Sequence, residues 1–145
     1  SPPARFEDLV QKFPAKLSES LTAVGLVSRF LVGQDPKSHP IMLQHAELLA
    51  KKPPVWDPKN SKVDMYYWSW GTWAMHLMGG DYSKNWNSRL VKAICESQIQ
   101  GGGCARGSWD PCGVWGADGG RVYSTAMMAL CLETPYRYRL NFSAR

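Results

Sequence analysis

The chain has 145 residues, 44% of them apolar and 20% charged, with 17 Lys and Arg against 12 Asp and Glu for a formal net charge of +5. That is enough chain for one domain with a real core, the apolar content excludes a disordered tail, and no apolar run approaches the ~20 residues of a membrane-spanning helix. The basic residues are spread along the chain, so nucleic acid is not the expected partner, while seven Trp stand out against ordinary usage.

In chain order, the opening Ser1-Pro2-Pro3 lacks an initiator Met and an apolar signal core, as a processed or excised piece would. Residues 6–13 read as a short helix stopped by Pro14, which makes 1–14 an N-terminal extension. Leu17, Leu21, Val24, Val27 and Leu31 then share one helical face, and Gly33 stands where a helix-closing glycine belongs. Ser38 is placed to cap a second helix with Pro40 in its first turn and Ile41, Met42, Leu48 and Leu49 along it. Lys51-Lys52-Pro53-Pro54 ends that helix, with cations at the negative end of the dipole and rings that cannot continue the ladder.

Residues 54–62 form a polar loop, after which Asp64 caps a third helix that runs to Met78 and breaks at Gly79-Gly80. Tyr66, Tyr67, Trp68, Trp70, Trp73, Met75, Leu77 and Met78 make it apolar nearly all round, the pattern of a helix covered on most sides. Ser83 is expected to cap a fourth helix that buries Trp86, Leu90, Val91, Ile94 and Cys95. Residues 98–119 form a long loop rich in Gly and Trp, of a length that in compact domains usually serves a function. A fifth helix spans about Gly120 to Glu133 with Val122, Ala126, Ala129 and Leu130 inward, stopped by Pro135; 135–145 is a basic tail.

With no competing strand pattern, the fold class is all-α, a single domain over 1–145 built of antiparallel helical hairpins. A shift of 46 residues places Gly33-Gln34-Asp35 over Gly79-Gly80-Asp81 and Gly25 over Gly71, and a shift of 53 places Thr72 over Thr125. A period near 50 built from two helices is the mark of stacked hairpins. Cys95, Cys104, Cys112 and Cys131 form no Cys-x-x-Cys pair and are too sparse for a disulfide scaffold, which favours a reducing, cytoplasmic compartment. His39, His45 and His76 are not in metal-ligand spacing, and Asn141-Phe142-Ser143 is formally a glycosylation acceptor.

Three stretches carry a resemblance: Tyr66-Tyr67-Trp68-Ser69-Trp70-Gly71-Thr72, Gln100 through Gly107-Ser108-Trp109, and Asp118-Gly119-Gly120-Arg121-Val122-Tyr123-Ser124-Thr125-Ala126. From about Leu17 to Tyr138 the chain resembles the squalene cyclase and prenyltransferase repeat proteins, whose helical hairpins close into an α/α toroid. The middle stretch is similar to the family's Gln…Gly-x-Trp signature, with a longer gap between Gln100 and Gly107. The Asp-x-Asp-Asp acid of the cyclases is missing, and alkene protonation has no donor without it. Where the prenyltransferases place a zinc-binding cysteine this chain has Gly120, so no metal or other cofactor is expected; Asp110-Pro111-Cys112 is an incomplete substitute. Cys95-Glu96-Ser97-Gln98 has the Cys-to-Gln spacing of the thioester domains that share the toroid, without their flanking glycines.

Family toroids line their cavity with aromatic rings, which suits apolar isoprenoid tails and carbocations. Tyr66, Trp70 and Trp73 share a face here and serve either such a cavity or packing between hairpins. Trp109, Trp115, Asp118 and Tyr123 complete the candidate ligand-binding set with Arg121, a cation at a helix start that pairs with Asp118 or reaches an anionic ligand. The resemblance implies a non-catalytic domain that binds an apolar, isoprenoid-like molecule or a protein partner. The alternatives are part of a terpenoid cyclase or prenyltransferase-type enzyme whose acid or metal site lies elsewhere, and a structural repeat segment of a larger protein. About two and a half hairpins are fewer than a closed ring needs, so further repeats or a second copy are expected at the open edges.

Overall fold

Asp64 sets the start of the most apolar helix. Its carboxylate accepts the Tyr67 backbone N–H at 2.9 Å, satisfying one of the orphan donors of a first turn, and the helix runs from there to Met78. The computed structural model describes residues 10–11, 13–14, 16 and 18–138. Among them five α-helices and no strand occur: α1 Ser20–Leu31, α2 Ile41–Ala50, α3 Met65–Met78, α4 Gly80–Ser97 and α5 Gly116–Arg137, with a 3-10 turn at Pro58–Asn60. The class is all-α. Most of the short helix expected over 6–13, together with Leu17, the glycosylation acceptor at 141–143 and the end of the basic tail, lies outside the described residues.

Helix α3 is the hub. It packs most extensively on α1, then on α5 and α4, and more lightly on α2, while α1 pairs with α2. Its inner side carries Met65, Tyr67, Trp68, Gly71, Thr72, Ala74 and Met75, all buried. Leu26, Met42, Leu49, Leu90, Ile94 and Met128 close around it from the other four helices, which is why a helix apolar nearly all round is stable here. Gly71 lets α4 come close: a Cβ there would sit 2.5 Å from the Trp86 ring. The Trp86 indole Nε1 donates to Thr72 Oγ1 at 3.0 Å, and that hydroxyl donates in turn to the Trp68 carbonyl at 2.6 Å. Every polar atom of this contact is thus satisfied inside the core.

Several boundaries follow from local chemistry as expected. Past α1, Gln34 N donates to Arg29 O and Gly33 N to Phe30 O, both at 3.0 Å, the paired bonds of a Schellman closure. Helix α2 ends at Lys51 ahead of the prolines. Other expectations are corrected. Ser38 does not cap α2; Pro40 precedes the helix directly, and Asp35 Oδ1 takes the N–H groups of Lys37 at 2.9 Å and Ser38 at 3.1 Å in a local turn. Ser83 does not cap α4 either, because Gly79 both closes α3 and opens α4, and the helix begins four residues sooner.

The helix faces also shift. Helix α1 buries Ala23, Leu26, Val27 and Phe30, leaving Leu21 and Leu31 72% and 62% exposed. In α2, Met42, Ala46 and Leu49 face inward while Ile41 and Leu48 are exposed, and in α4 Ala93 takes the inward place expected of Val91 and Cys95. Helix α5 is turned most. Its buried line is Ser124, Met128, Cys131 and Thr134, and the expected core residue Val122 is 83% exposed, with Ala126, Ala129 and Leu130 also exposed. The helix bends at Gly120, whose φ of 59° and ψ of −162° separate a first turn from the main body. Pro135 does not stop it; the helix continues to Arg137.

Candidate functional site

The expected aromatic face exists. Tyr66 and Trp70 meet edge to face with ring centroids 6.2 Å apart, Trp70 and Trp73 stack at 5.7 Å, and Trp73 stacks on Tyr138 at 5.0 Å with an 18° angle between planes. All but Tyr138 come from α3, on the side away from its buried Trp68 and Met75. Centroid separations of this size are those of favourable ring pairs. The rings border a depression of about 310 Å³ between α3 and α5, whose other wall is Met127, Leu130, Thr134 and Arg137. Its one lining carboxylate, Glu133, accepts from Arg137 at 3.3 Å, one helical turn away.

Tyr138 was not among the expected site residues. It reaches the groove because α5 carries on through Pro135, so that 127, 130, 134 and 138 recur at helical spacing on one side. Its N–H donates to Thr134 O at 3.1 Å, and its carbonyl meets the His76 Nε2 of α3, tying the end of α5 to α3 beside the groove. The signal in the sequence was the continued spacing of these four residues. The proline concealed it, because the ring is usually a terminator.

The remaining expected site residues are not brought to this groove. Trp109 is buried and donates its indole Nε1–H to Ile94 O at 2.8 Å, serving one of the last carbonyls of α4. The long loop around it is closed by Ile99 N to Ser108 O at 3.0 Å, Gly107 N to Ile99 O at 2.8 Å and Gln98 Nε2 to Gly107 O at 2.9 Å. Gln98, not Gln100, therefore holds the glycine-rich turn. Trp115 is half-buried at the start of α5, where its carbonyl accepts from Gly119 N at 2.9 Å. Asp118 is exposed in the first turn of α5. Arg121 pairs with neither Asp118 nor the groove; it donates to Asp110 Oδ1 at 2.8 Å and to Ser108 Oγ at 3.2 Å. The bend at Gly120 accompanies this turn of Arg121 back towards the loop.

Tyr123 places its hydroxyl in the interior without a hydrogen-bond partner. Burial, and then the nearby Asp64, Cys131 and Tyr66 groups, push its ionisation far up, so it is a neutral phenol. The thiols behave similarly. Burial and the Asp110 carboxylate push Cys112 up to about 11, and burial pushes Cys131 up to about 12 against its hydrogen-bonding contact with Thr72. A thiol held protonated is a poor nucleophile and metal ligand. Asp110 is engaged with Arg121, and the backbone of Gly120, in the left-handed region, would strain a cysteine placed there. Among the described residues no group of three or more His, Cys, Asp or Glu side chains converges as a metal site, and no helix is long and apolar enough to cross a membrane. The chain matches no family model, no curated protein and no solved structure.

Proposed function

We propose that the groove between α3 and α5 binds an apolar, isoprenoid-like molecule, and that the chain is a non-catalytic repeat domain of the squalene cyclase and protein prenyltransferase type. The observation that carries this reading is the continuous run of four rings, Tyr66, Trp70, Trp73 and Tyr138, along a depression of about 310 Å³. A cavity of that size, walled by rings and by Met127 and Leu130, suits a flexible hydrocarbon. The hairpin character agrees with it. A shift of 46 residues carries α1 onto α3 to within one residue at each end and α2 onto the second half of α4. Catalysis is left out of the reading because Glu133, engaged with Arg137, is not the group of several acids that alkene protonation requires. The exposed outer side of α5, with Val122 and Tyr136, is then the edge that a further repeat or a second copy covers.

Titration with farnesol, an uncharged isoprenoid, followed by tryptophan fluorescence checks the assignment. Saturable quenching that disappears in Trp70→Ala and Trp73→Ala is expected. A response absent up to the solubility limit of farnesol, or one that survives both substitutions, sinks the groove as the binding site.

A further inference from the structure

Four lysines from three separate parts of the chain border one place. Lys16, Lys51, Lys52 and Lys62 border a depression of about 260 Å³ that Pro53, Val55, Tyr67 and Trp68 also line, and none of these residues borders the aromatic groove. Lys52 Nζ is held at 2.7 Å by both Glu19 Oε1 and the Lys16 carbonyl, and Lys62 Nζ lies 3.3 Å from Asp57. Lys16 and Lys51 have no ion-pair partner among the described residues. Among the described residues, two carboxylates thus offset two of these four ammonium groups and leave a surplus of two positive charges.

The end of α2 accounts for Lys51 and Lys52, which stand at the negative end of its dipole, but not for Lys16 and Lys62, which other parts of the chain bring to the same depression. Near the end of α2, Lys51 N donates to Glu47 O at 3.2 Å and Lys52 N to Leu49 O at 3.0 Å, and beyond it the Tyr67 hydroxyl donates to Lys52 O at 2.9 Å, so these three carbonyls do not call on an ammonium group. Like charges gathered at one depression repel unless a counter-charge joins them, and the surplus equals the charge of one dianion. Lysine ammonium groups suit such a ligand as movable point charges with three donors each. Pro53 and Val55, the latter exposed, offer an apolar seat to whatever carries it.

We infer that the depression bounded by Lys16, Lys51, Lys52 and Lys62 binds a small soluble phosphate monoester as its dianion, with the organic part of the ester against Pro53 and Val55.

Amide ¹H–¹⁵N spectra of the full chain titrated with phenyl phosphate test this. Saturable shifts centred on Lys51, Lys52 and Tyr67 are expected, with a dissociation constant of about 1 mM or tighter. Benzoate, which has the ring but one charge, is expected to bind about tenfold more weakly. The double variant Lys51→Gln/Lys62→Gln should weaken phenyl phosphate by about tenfold or more, and Lys51→Arg should keep its binding. If loss of Lys62 unsettles the turn at Asp57, Lys51→Gln alone must still weaken binding. Shifts that do not saturate, an affinity unchanged in Lys51→Gln, or equal binding of benzoate would overturn the assignment. So would binding to phosphatidate vesicles without any response to the soluble ester, since the site would then be a membrane contact.

Discussion

Helices α3 and α5 are neighbours that bury opposite kinds of surface. The inner side of α3 is aromatic and large, with Trp68 and Met75 fully covered, whereas the inner side of α5 is Ser124, Met128, Cys131 and Thr134. Two of those four carry hydroxyls, and each returns its hydrogen bond to its own helix: Ser124 Oγ to Gly120 O at 3.2 Å and Thr134 Oγ1 to Leu130 O at 3.0 Å. A small hydroxyl that is satisfied within its own turn can be buried without a partner from another element. The Thr72 hydroxyl of α3 does more, because it also receives the Trp86 indole and joins two helices. The lesson is that a polar atom's place in the interior depends on who satisfies it.

The comparison breaks most severely if the large rings of α3 are not what stabilises the fold. Trp68→Ala should cost about 3–5 kcal/mol in denaturant unfolding, from lost burial and the cavity left behind, while Val122→Ala on the exposed side of α5 should stay within about 0.5 kcal/mol. Similar losses in both would mean that α5 is turned the other way. A finer measurement uses the two threonines. Thr72→Val leaves the buried Trp86 N–H without an acceptor and should cost about 1–3 kcal/mol, whereas Thr134→Val removes only a bond within its own helix and should cost under about 1 kcal/mol. Reversal of that order would place the hydrogen-bonded network in α5.

The smallest effect concerns the α1 side. Burial opposes ionisation of Glu19, but hydrogen bonds from Lys52 and Thr22, with the charge of Lys52, outweigh it and hold the carboxyl below its ordinary 4.5. A group whose folded value is depressed contributes stability that is present above its unfolded value and is lost as the pH falls through the folded one. Glu19→Gln should therefore lower stability by under about 1 kcal/mol near neutrality and by progressively less as the pH falls below about 4.5. Unfolding curves of the two proteins that stay parallel down to pH ~2 would remove Lys52 as the cause.

What the sequence makes legible is local closure chemistry. Asp64 before a run of rings, Gly33 after α1 and paired prolines after α2 each act within a turn, and each stands where expected. The shared face of Tyr66, Trp70 and Trp73 was legible for the same reason, being fixed by spacing along one helix. Which face of a helix looks inward is settled by its neighbours. In α5 the aliphatic residues at helical spacing pointed to a core, yet α3 and α4 meet the small side, and Val122 faces out. Tyr138 and the partner of Arg121 were hidden for a related cause: one lies beyond a proline that the helix tolerates, the other across a loop whose closure by Gln98 the sequence does not announce.

Gly79 ends α3 and begins α4 with nothing else between them. The entropy lost in closing a loop grows with the length of chain enclosed, so joining these two helices is the least demanding tertiary step available to the chain, and it brings Trp86 onto Gly71. By contrast α1 must close the whole of α2 and the polar loop before it reaches α3. Loop-closure entropy therefore favours the α3–α4 contact over the α1–α3 contact as the earlier of the two to form.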